Sequence, residues 1–270
     1  MKHSFVVLTA LAILAAPTAF AAAPATTPAA APAPAATPAL TGDDKILADA
    51  NVAVTKGEFD KAFKLLRPLA AKGNTTAQMR IGALFSIGAG VKKNEVLAYG
   101  WYLTAADKGN PLAQVEVGRR LLDGNGVDPN PTLAFSYFLK AANKGDAIGN
   151  NLVGLSYLDG VGVAKDPVKA LSYFGAAAQG GSLDAMNSIG YIYASGVGTE
   201  KDPKQAFSWF TKAATLGHVD ASFNLAKAYY NGAGTPKDDV QALYWAHVAA
   251  AKGNAGAEAL VATLEAKPKP

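Results

Sequence analysis

The fold is decided by residues 145–180, GDAIGNNLVGLSYLDGVGVAKDPVKALSYFGAAAQG, because the pattern of this stretch recurs along the chain every 36 residues. Its first glycine has counterparts at that spacing at Gly73, Gly109, Gly181, Gly217 and Gly253. Two further glycines follow inside each full copy, as Gly160 and Gly162 do here. Self-similarity with a period of roughly 20–50 residues is typical of repeat architectures that stack into solenoids.

Each copy predicts two antiparallel helices. Apolar residues in the first half recur with helical spacing, as at Ala185, Ile189 and Tyr193. The paired glycines that follow suit the positive-φ residue that ends a helix. Asp166-Pro167 then provides an N-cap and a first-turn proline for the second helix, and the next repeat glycine predicts its C-cap. With an earlier pair at residues 43–72 and a last helix near 255–266, the sequence predicts about six pairs plus a C-terminal capping helix.

Small and aromatic residues recur at fixed places within these helices. The middle of the first helix holds Gly82, Gly118, Gly154, Gly190 and then Ala226. Because glycine inside a helix costs about 1 kcal/mol relative to alanine, we expect the backbone of the partner helix to approach closely there. The second helix carries an aromatic residue in every copy: Trp101, Tyr137, Tyr173, Trp209 and Trp245. An aromatic residue that every copy supplies predicts a packing role between helices.

This combination of glycines, alanines and aromatic residues resembles the Sel1-like repeat, a relative of the tetratricopeptide repeat. The resemblance covers about Gly73 to Gly253, and residues 145–181 fit it nearly throughout. Residues 43–72 look more like an ordinary tetratricopeptide unit. The resemblance implies an all-α, right-handed α-solenoid over residues 43–266, and adaptor or regulatory roles in binding a protein or peptide on a concave face.

The N-terminus predicts export. Residues 1–21 read as a signal peptide, with Lys2 before the apolar run from Phe5 to Ala16 and an A-x-A pattern that ends at Ala21. Residues 22–42 contain ten Ala, five Pro and four Thr, a composition that predicts a disordered linker. Residues 267–270 form a short tail. We therefore expect a periplasmic or secreted protein, with no stable membrane insertion after signal cleavage. Retention of the leader as an anchor is the alternative.

Composition excludes several classes of function. The 270 residues contain no cysteine, which rules out disulfide scaffolds, thiol catalysis and cysteine-bound metals. The formal net charge of +4 comes largely from the two termini, so the body carries no basic footprint for nucleic acid. No phosphate-loop, metalloprotease or serine-hydrolase motif occurs. The sequence therefore predicts no cofactor, no metal, no catalytic residues and a monomer that binds a protein or peptide.

The candidate binding residues lie on a second line of the first helices, spaced i, i+3 and i+7. This line changes its chemistry from copy to copy, as binding surfaces do. The candidates are Arg119, Asn151, Leu155, Asn187, Tyr191, Phe223, Asn224, Lys227 and Tyr230; earlier copies hold Met79, Ala83 and Val115 there. The resemblance to tetratricopeptide arrays implies that this line faces the groove, where asparagines hold a peptide backbone and Arg119 or Lys227 holds a carboxylate.

Two alternatives to a non-enzymatic scaffold remain open. One is a hydrolase acting on cell-wall peptide or β-lactams, since some relatives are associated with that chemistry; Asp184 and Asp220 would then serve as an acid–base pair. These aspartates equally suit the first turn of a helix, where a negative charge complements the helix dipole. The other alternative is a purely structural spacer in the envelope. His218 and His247 show no ligand spacing and predict exposed or capping side chains.

Overall fold

A computed structural model describes residues 13–14 and 42–266 of the chain. The predicted signal peptide at residues 1–21, the predicted linker at 22–42 and the tail at 267–270 therefore lie almost entirely outside the described residues. Gly42, the last residue assigned to the linker, already begins the first helix. No helix within the described residues has the length and apolar character needed to cross a membrane.

Thirteen helices and no strand are found in residues 42–266. They are α1 Gly42–Thr55, α2 Phe59–Ala71, α3 Thr75–Ile87, α4 Glu95–Asp107, α5 Pro111–Asp123, α6 Pro131–Ala142, α7 Ala147–Asp159, α8 Pro167–Gln179, α9 Leu183–Ser195, α10 Pro203–Thr215, α11 Val219–Asn231, α12 Asp239–Ala250 and α13 Ala255–Glu265. The prediction of an all-α repeat fold is confirmed.

The helices belong to two units. Unit 1 ends at Asn130 and contains α1–α5, and unit 2 begins at Pro131 and contains α6–α13. Within each unit every helix packs against the next one along the chain. Consecutive copies of the repeat therefore bury their apolar faces against each other, as a repeat array requires.

Capping residues set the helix ends as the sequence predicted. The loop glycines end the first helices in the left-handed conformation, as Gly160 does with φ of 77°. Asn94 caps α4 and aspartates cap α8, α10 and α12, where the Asp166 side chain accepts a hydrogen bond from the Lys169 amide. One detail is wrong: the repeat glycine is not itself the C-cap of the second helix. Lys72 is the cap of α2, and Gly73, with φ of 96°, follows it.

The glycine in the middle of the first helix receives an aromatic ring and not, as predicted, a helix backbone. A Cβ placed on Gly154 would lie 2.7 Å from the Phe174 ring, and one on Gly190 would lie 2.6 Å from the Phe210 ring. Both rings are almost fully buried. Phe174 and Phe210 each follow directly after an aromatic residue that was predicted to pack between helices, Tyr173 or Trp209. Trp209 itself is only partly buried.

The fifth copy supports this pairing of glycine with a ring. It replaces both partners at once, with Ala226 where the other copies have glycine and Ala246 where they have the ring. Both alanines are fully buried. Packing densities in protein interiors are close to those of crystals, so a methyl group that enters the first helix requires the loss of the ring.

Candidate partner-binding site

The predicted binding line forms an exposed surface in unit 2. It runs along α7, α9 and α11, the first helices of three consecutive copies. Tyr191 on α9 is 53% exposed and Leu155 on α7 is 36% exposed, and Lys227 on α11 is also exposed. Exposed large side chains that alternate with polar ones distinguish this face from the alanine-rich interior behind it. We call these three helix surfaces the first-helix face.

Asparagines connect two of the three helices on this face. The Asn224 side-chain amide on α11 donates a hydrogen bond of 3.0 Å to the Asn187 side-chain oxygen on α9. This bond fixes the orientation of both amides at a half-buried position. Asn151 occupies the same repeat position as Asn187 but is only 8% exposed, and its Oδ1 atom has no hydrogen-bond partner. Asn151 therefore does not lie on the open surface, contrary to the prediction.

Aromatic rings and lysines pair along α11. The Lys227 ammonium lies 5.4 Å from the centre of the Phe223 ring, and the Lys237 ammonium lies 5.4 Å from the centre of the Tyr230 ring. Phe223 also packs on the first turn of α13, since a Cβ on Gly256 would lie 2.8 Å from its ring. These contacts hold Lys227 over a half-buried ring, where cation–π attraction contributes about 0.5–1 kcal/mol.

In unit 1 the same line is mostly buried. Met79 and Val115 are each 4% exposed and Ala83 is fully buried, so the prediction that these residues line an open groove is wrong. Arg119 is half-buried. The described first-helix face therefore consists of residues of unit 2.

The two aspartates of the proposed acid–base pair have separate structural partners. His218 caps α11 because its Nδ1 accepts a hydrogen bond of 3.0 Å from the Ala221 amide. Its Nε2 lies 3.0 Å from Asp184 Oδ1, so the neutral ring carries its proton on Nε2. Asp220 accepts a hydrogen bond of 2.9 Å from the Asn254 side chain. Each aspartate thus ties one first helix to the cap of the next, and His218 is the capping residue that the sequence predicted.

The repeats of this chain match a known family. A family model described as Sel1 repeat matches residues 54–74, 75–110, 111–146, 147–182, 183–218 and 219–254. The chain belongs to the Sel1 repeat family. The match includes residues 54–74, so it extends the Sel1 repeats into the first helix pair, which was predicted to resemble an ordinary tetratricopeptide unit. Sel1 repeat proteins are generally non-enzymatic scaffolds for protein interaction.

Solved structures of other Sel1 repeat proteins share this fold. A Sel1 repeat protein from Oxalobacter formigenes is 30% identical with a TM-score of 0.76, over 83% of this chain and 91% of that one. A protective antigen of uropathogenic Escherichia coli is 28% identical with a TM-score of 0.73, over 83% of this chain and 52% of that one. This chain thus spans about half the length of the antigen. No curated protein matches the chain.

More distant structures show the fold alone. An immunity protein from Pseudomonas aeruginosa is 19% identical to this chain with a TM-score of 0.51, over 82% of this chain and 89% of that one. The first-helix face of this Sel1 repeat chain therefore has to be interpreted from its own residues.

The sequence did not reveal a buried ionic network in unit 1 of this Sel1 repeat chain. Arg120, whose side chain is 2% exposed, donates to Glu95 Oε2 at 2.9 Å and to Glu116 Oε1 at 3.1 Å. It also donates to Ser86 Oγ at 2.7 Å and lies 4.6 Å from the centre of the Tyr102 ring. The one available signal was the i,i+4 spacing of Glu116 and Arg120, which on most helices indicates an exposed pair.

Electrostatics inside this network favours the charged forms. Burial alone would raise the pKa of Glu95, but hydrogen bonds from Arg120, Lys93 and Ser86 hold that pKa below its ordinary value. Burial would likewise lower the pKa of Arg120, yet the nearby carboxylates of Glu116 and Glu95 raise it. Burial raises the pKa of the Tyr102 hydroxyl, which stays neutral. The network therefore holds the Arg120 side chain in place between two carboxylates inside unit 1.

Proposed function

We propose that this chain is an exported scaffold or adaptor that binds an extended segment of a partner protein on the first-helix face of unit 2. The observation that carries the proposal is the Asn224–Asn187 hydrogen bond beside the exposed ring of Tyr191. Oriented side-chain amides offer donors and acceptors to a peptide backbone, and an exposed tyrosine offers apolar area with little loss of side-chain entropy.

The charge distribution favours a polar peptide over a charged polymer. Of the ionisable side chains on α7, α9 and α11, Lys227 is the sole cation, and the aspartates lie at the helix ends. A single cation beside aromatic rings suits one carboxylate of a bound peptide. Interfaces of this kind concentrate their binding energy in a few tyrosine, tryptophan or basic residues, so Tyr191 and Lys227 are the expected main contributors.

A capture experiment with matched surface variants tests this proposal. The protein is immobilised and exposed to envelope extract of its source organism, and stoichiometric partners are identified by mass spectrometry. The variant Asn187→Ala/Tyr191→Ala/Lys227→Ala is expected to lose the partner. The control variant Val168→Ala/Lys212→Ala/Tyr244→Ala changes exposed residues of the second helices and is expected to retain it. Equal capture by both variants would contradict the assignment of the face.

Export and the two alternative functions are tested separately. N-terminal sequencing of protein from the envelope fraction is expected to begin at Ala22, as cleavage after Ala21 requires. A hydrolase would turn over a chromogenic β-lactam or a muropeptide and lose that activity with Asp184→Ala. A spacer would tolerate the first-helix variant and fail when residues 22–42 are deleted.

A further inference from the structure

A cavity of about 620 Å³ opens in unit 2 where the helix pairs meet at the repeat glycines. The residues around it are Ala147, Ile148, Gly180, Gly181, Ser182, Leu183, Asp184, Gly217, His218, Val219 and Asp220. Aliphatic side chains of Ile148, Leu183 and Val219 provide its apolar wall. The carboxylates of Asp184 and Asp220 lie at its polar side. We call it the glycine-loop cavity.

Elsewhere in the chain a lysine occupies the corresponding place. Lys108 is the last residue before a repeat glycine, and its ammonium donates a hydrogen bond of 3.1 Å to the carbonyl oxygen of Gly73 in the preceding copy. Lys252 repeats this contact at 3.0 Å with the carbonyl oxygen of Gly217. The repeat thus has an ammonium site at its glycine carbonyl, and the chain fills that site from its own sequence.

Two of the three copies that line the glycine-loop cavity have no lysine at this position. Gly180 and Leu216 stand where Lys108 and Lys252 stand in their copies. A Cβ placed on Gly181 or Gly145 would meet no atom within 4 Å, whereas one on Gly217 would lie 3.6 Å from the Lys252 ammonium. The cavity therefore lies where the fold has its ammonium site but the sequence omits the side chain that fills it.

Charge at the cavity favours a cation. Asp184, whose side chain is 77% exposed and whose Oδ1 lies 3.0 Å from His218 Nε2, contributes one carboxylate. Asp220, which accepts a hydrogen bond from Asn254, contributes the other. The positive ends of the α9 and α11 dipoles oppose a cation, but the Lys108 and Lys252 ammonium groups occupy the same place relative to a helix start. The Lys252 ammonium lies at one edge of the cavity, where it is bonded to the carbonyl oxygen of Gly217, and the two carboxylates outnumber it.

We propose that the glycine-loop cavity binds a primary ammonium group on an alkyl stem, such as a lysine side chain of another protein. The ammonium takes the place of the missing repeat lysine and donates to the Gly181 carbonyl oxygen and the Asp184 carboxylate. Its alkyl stem packs on Ile148 and Leu183. This site lies at the N-terminal ends of α7, α9 and α11, and the proposal stands without the proposed function.

Binding is measured by titrating the isotope-labelled protein with small probes and following backbone amide resonances. Nα-acetyl-lysine methylamide is expected to shift the amides of Gly181, Asp184 and Leu216 with saturation and a Kd on the order of 1 mM, as a single small fragment allows. The norleucine analogue lacks the ammonium and is expected to cause no saturable shift there. n-Butylamine distinguishes the source: equal binding indicates any primary amine, and weaker binding indicates a lysine residue.

Three variants make the assignment specific. Leu216→Lys restores the repeat lysine at an exposed position and is expected to abolish binding by occupying the Gly181 carbonyl. Leu216→Met, which is uncharged, is expected to bind as the parent does. Asp184→Asn is expected to weaken binding about two- to fivefold, the size of an exposed charge interaction. Unchanged binding by folded Leu216→Lys, or equal shifts with the norleucine probe, would overturn the proposal.

Discussion

Unit 1 and unit 2 fill the same repeat positions with different chemistry. Among the described residues, the buried polar side chains of unit 1 include the charged Arg80, Glu116 and Arg120, whereas those of unit 2 are the uncharged Asn150, Asn151, Ser156 and Ser222. The interior cluster of unit 2 consists of alanines with Phe174, Met186, Ile189, Ile192, Phe210 and Leu225. Two copies after Arg120 the chain has Ile192, and two copies after Tyr102 it has Phe174. A buried ion cluster and an apolar cluster thus occupy equivalent places.

This difference separates what the repeat requires from what it tolerates. Both units keep the loop glycines, the caps and the glycine–ring contact, as at Gly82 with Tyr102 and Gly190 with Phe210. The remaining interior positions accept either aliphatic side chains or an ion cluster whose charged groups pair with one another. The first-helix line differs in the same way, since it is mostly buried in unit 1 and partly exposed in unit 2.

The largest loss of stability is expected when Arg120 is replaced by isoleucine, the residue that unit 2 has at the equivalent position, Ile192. Arg120→Ile removes the donor to Glu116 and leaves Glu95 with Lys93 and Ser86 alone, and loss of one partner of a buried ion pair costs about 3–5 kcal/mol. We expect the loss in unfolding free energy to be confined to unit 1 when amide hydrogen exchange is followed peptide by peptide.

Two controls accompany Arg120→Ile. Lys93→Met removes the exposed partner of Glu95 and is expected to cost less than about 1 kcal/mol. The variant Arg120→Ile/Glu116→Ser/Glu95→Gln removes the carboxylates as well and is expected to recover most of the lost stability. A triple variant no more stable than Arg120→Ile would show that charge pairing is not what stabilises this interior.

The next largest effect on stability concerns the contact between a helix glycine and an aromatic ring, which both units share. In the parent protein, Gly190→Ala places a methyl group against the Phe210 ring and is expected to destabilise by about 1–3 kcal/mol. In a Phe210→Ala background the same change reproduces the Ala226–Ala246 pair of the fifth copy. There it is expected to stabilise by up to about 1 kcal/mol, through higher helix propensity. Chemical unfolding of the four proteins in the cycle measures this reversal of sign; the same sign in both backgrounds would refute the pairing.

The smallest effect concerns acid. Because the folded-state pKa of Glu95 is lowered, the stability it contributes is fully present above its ordinary pKa of 4.5 and is lost as the pH falls through the lower folded value. We expect Glu95→Gln to reduce the acid dependence of unit 1 unfolding, monitored by Trp101 fluorescence with Trp209 and Trp245 changed to Phe. The same substitution is expected to leave unit 2 unfolding unaffected. An unchanged pH profile of unit 1 would contradict the assignment.

The sequence predicted those features of the fold that depend on residues close together in the chain. Helix ends at Gly160 and Asp166 follow from positive φ and from side-chain capping, which depend on neighbouring residues alone. The number of helices and the boundaries of the repeats follow from the 36-residue period, which is read directly from the sequence. These features were predicted and are confirmed.

Contacts between helices were less predictable. The ring that packs against Gly190 belongs to Phe210. The neighbouring Trp209 is also aromatic, so which of the two rings contacts the glycine depends on the angles at which the helices pack. The Glu116–Arg120 spacing does not indicate whether the pair is buried, and the burial of Asn151 depends on residues distant in the sequence. The sequence shows that Leu216 replaces a repeat lysine. What that lysine binds became clear only from the contact between Lys252 and the Gly217 carbonyl oxygen.

Site-specific photocrosslinking shows whether a partner binds on the proposed first-helix face of unit 2. A benzophenone amino acid is placed at Tyr191 on α9 or at Tyr244 on α12, two tyrosines of similar exposure, 53% and 58%, on a first and a second helix. We expect a crosslinked partner of one defined mass from position 191 and none from position 244. Crosslinking from position 244 alone, or equally from both positions, would contradict it.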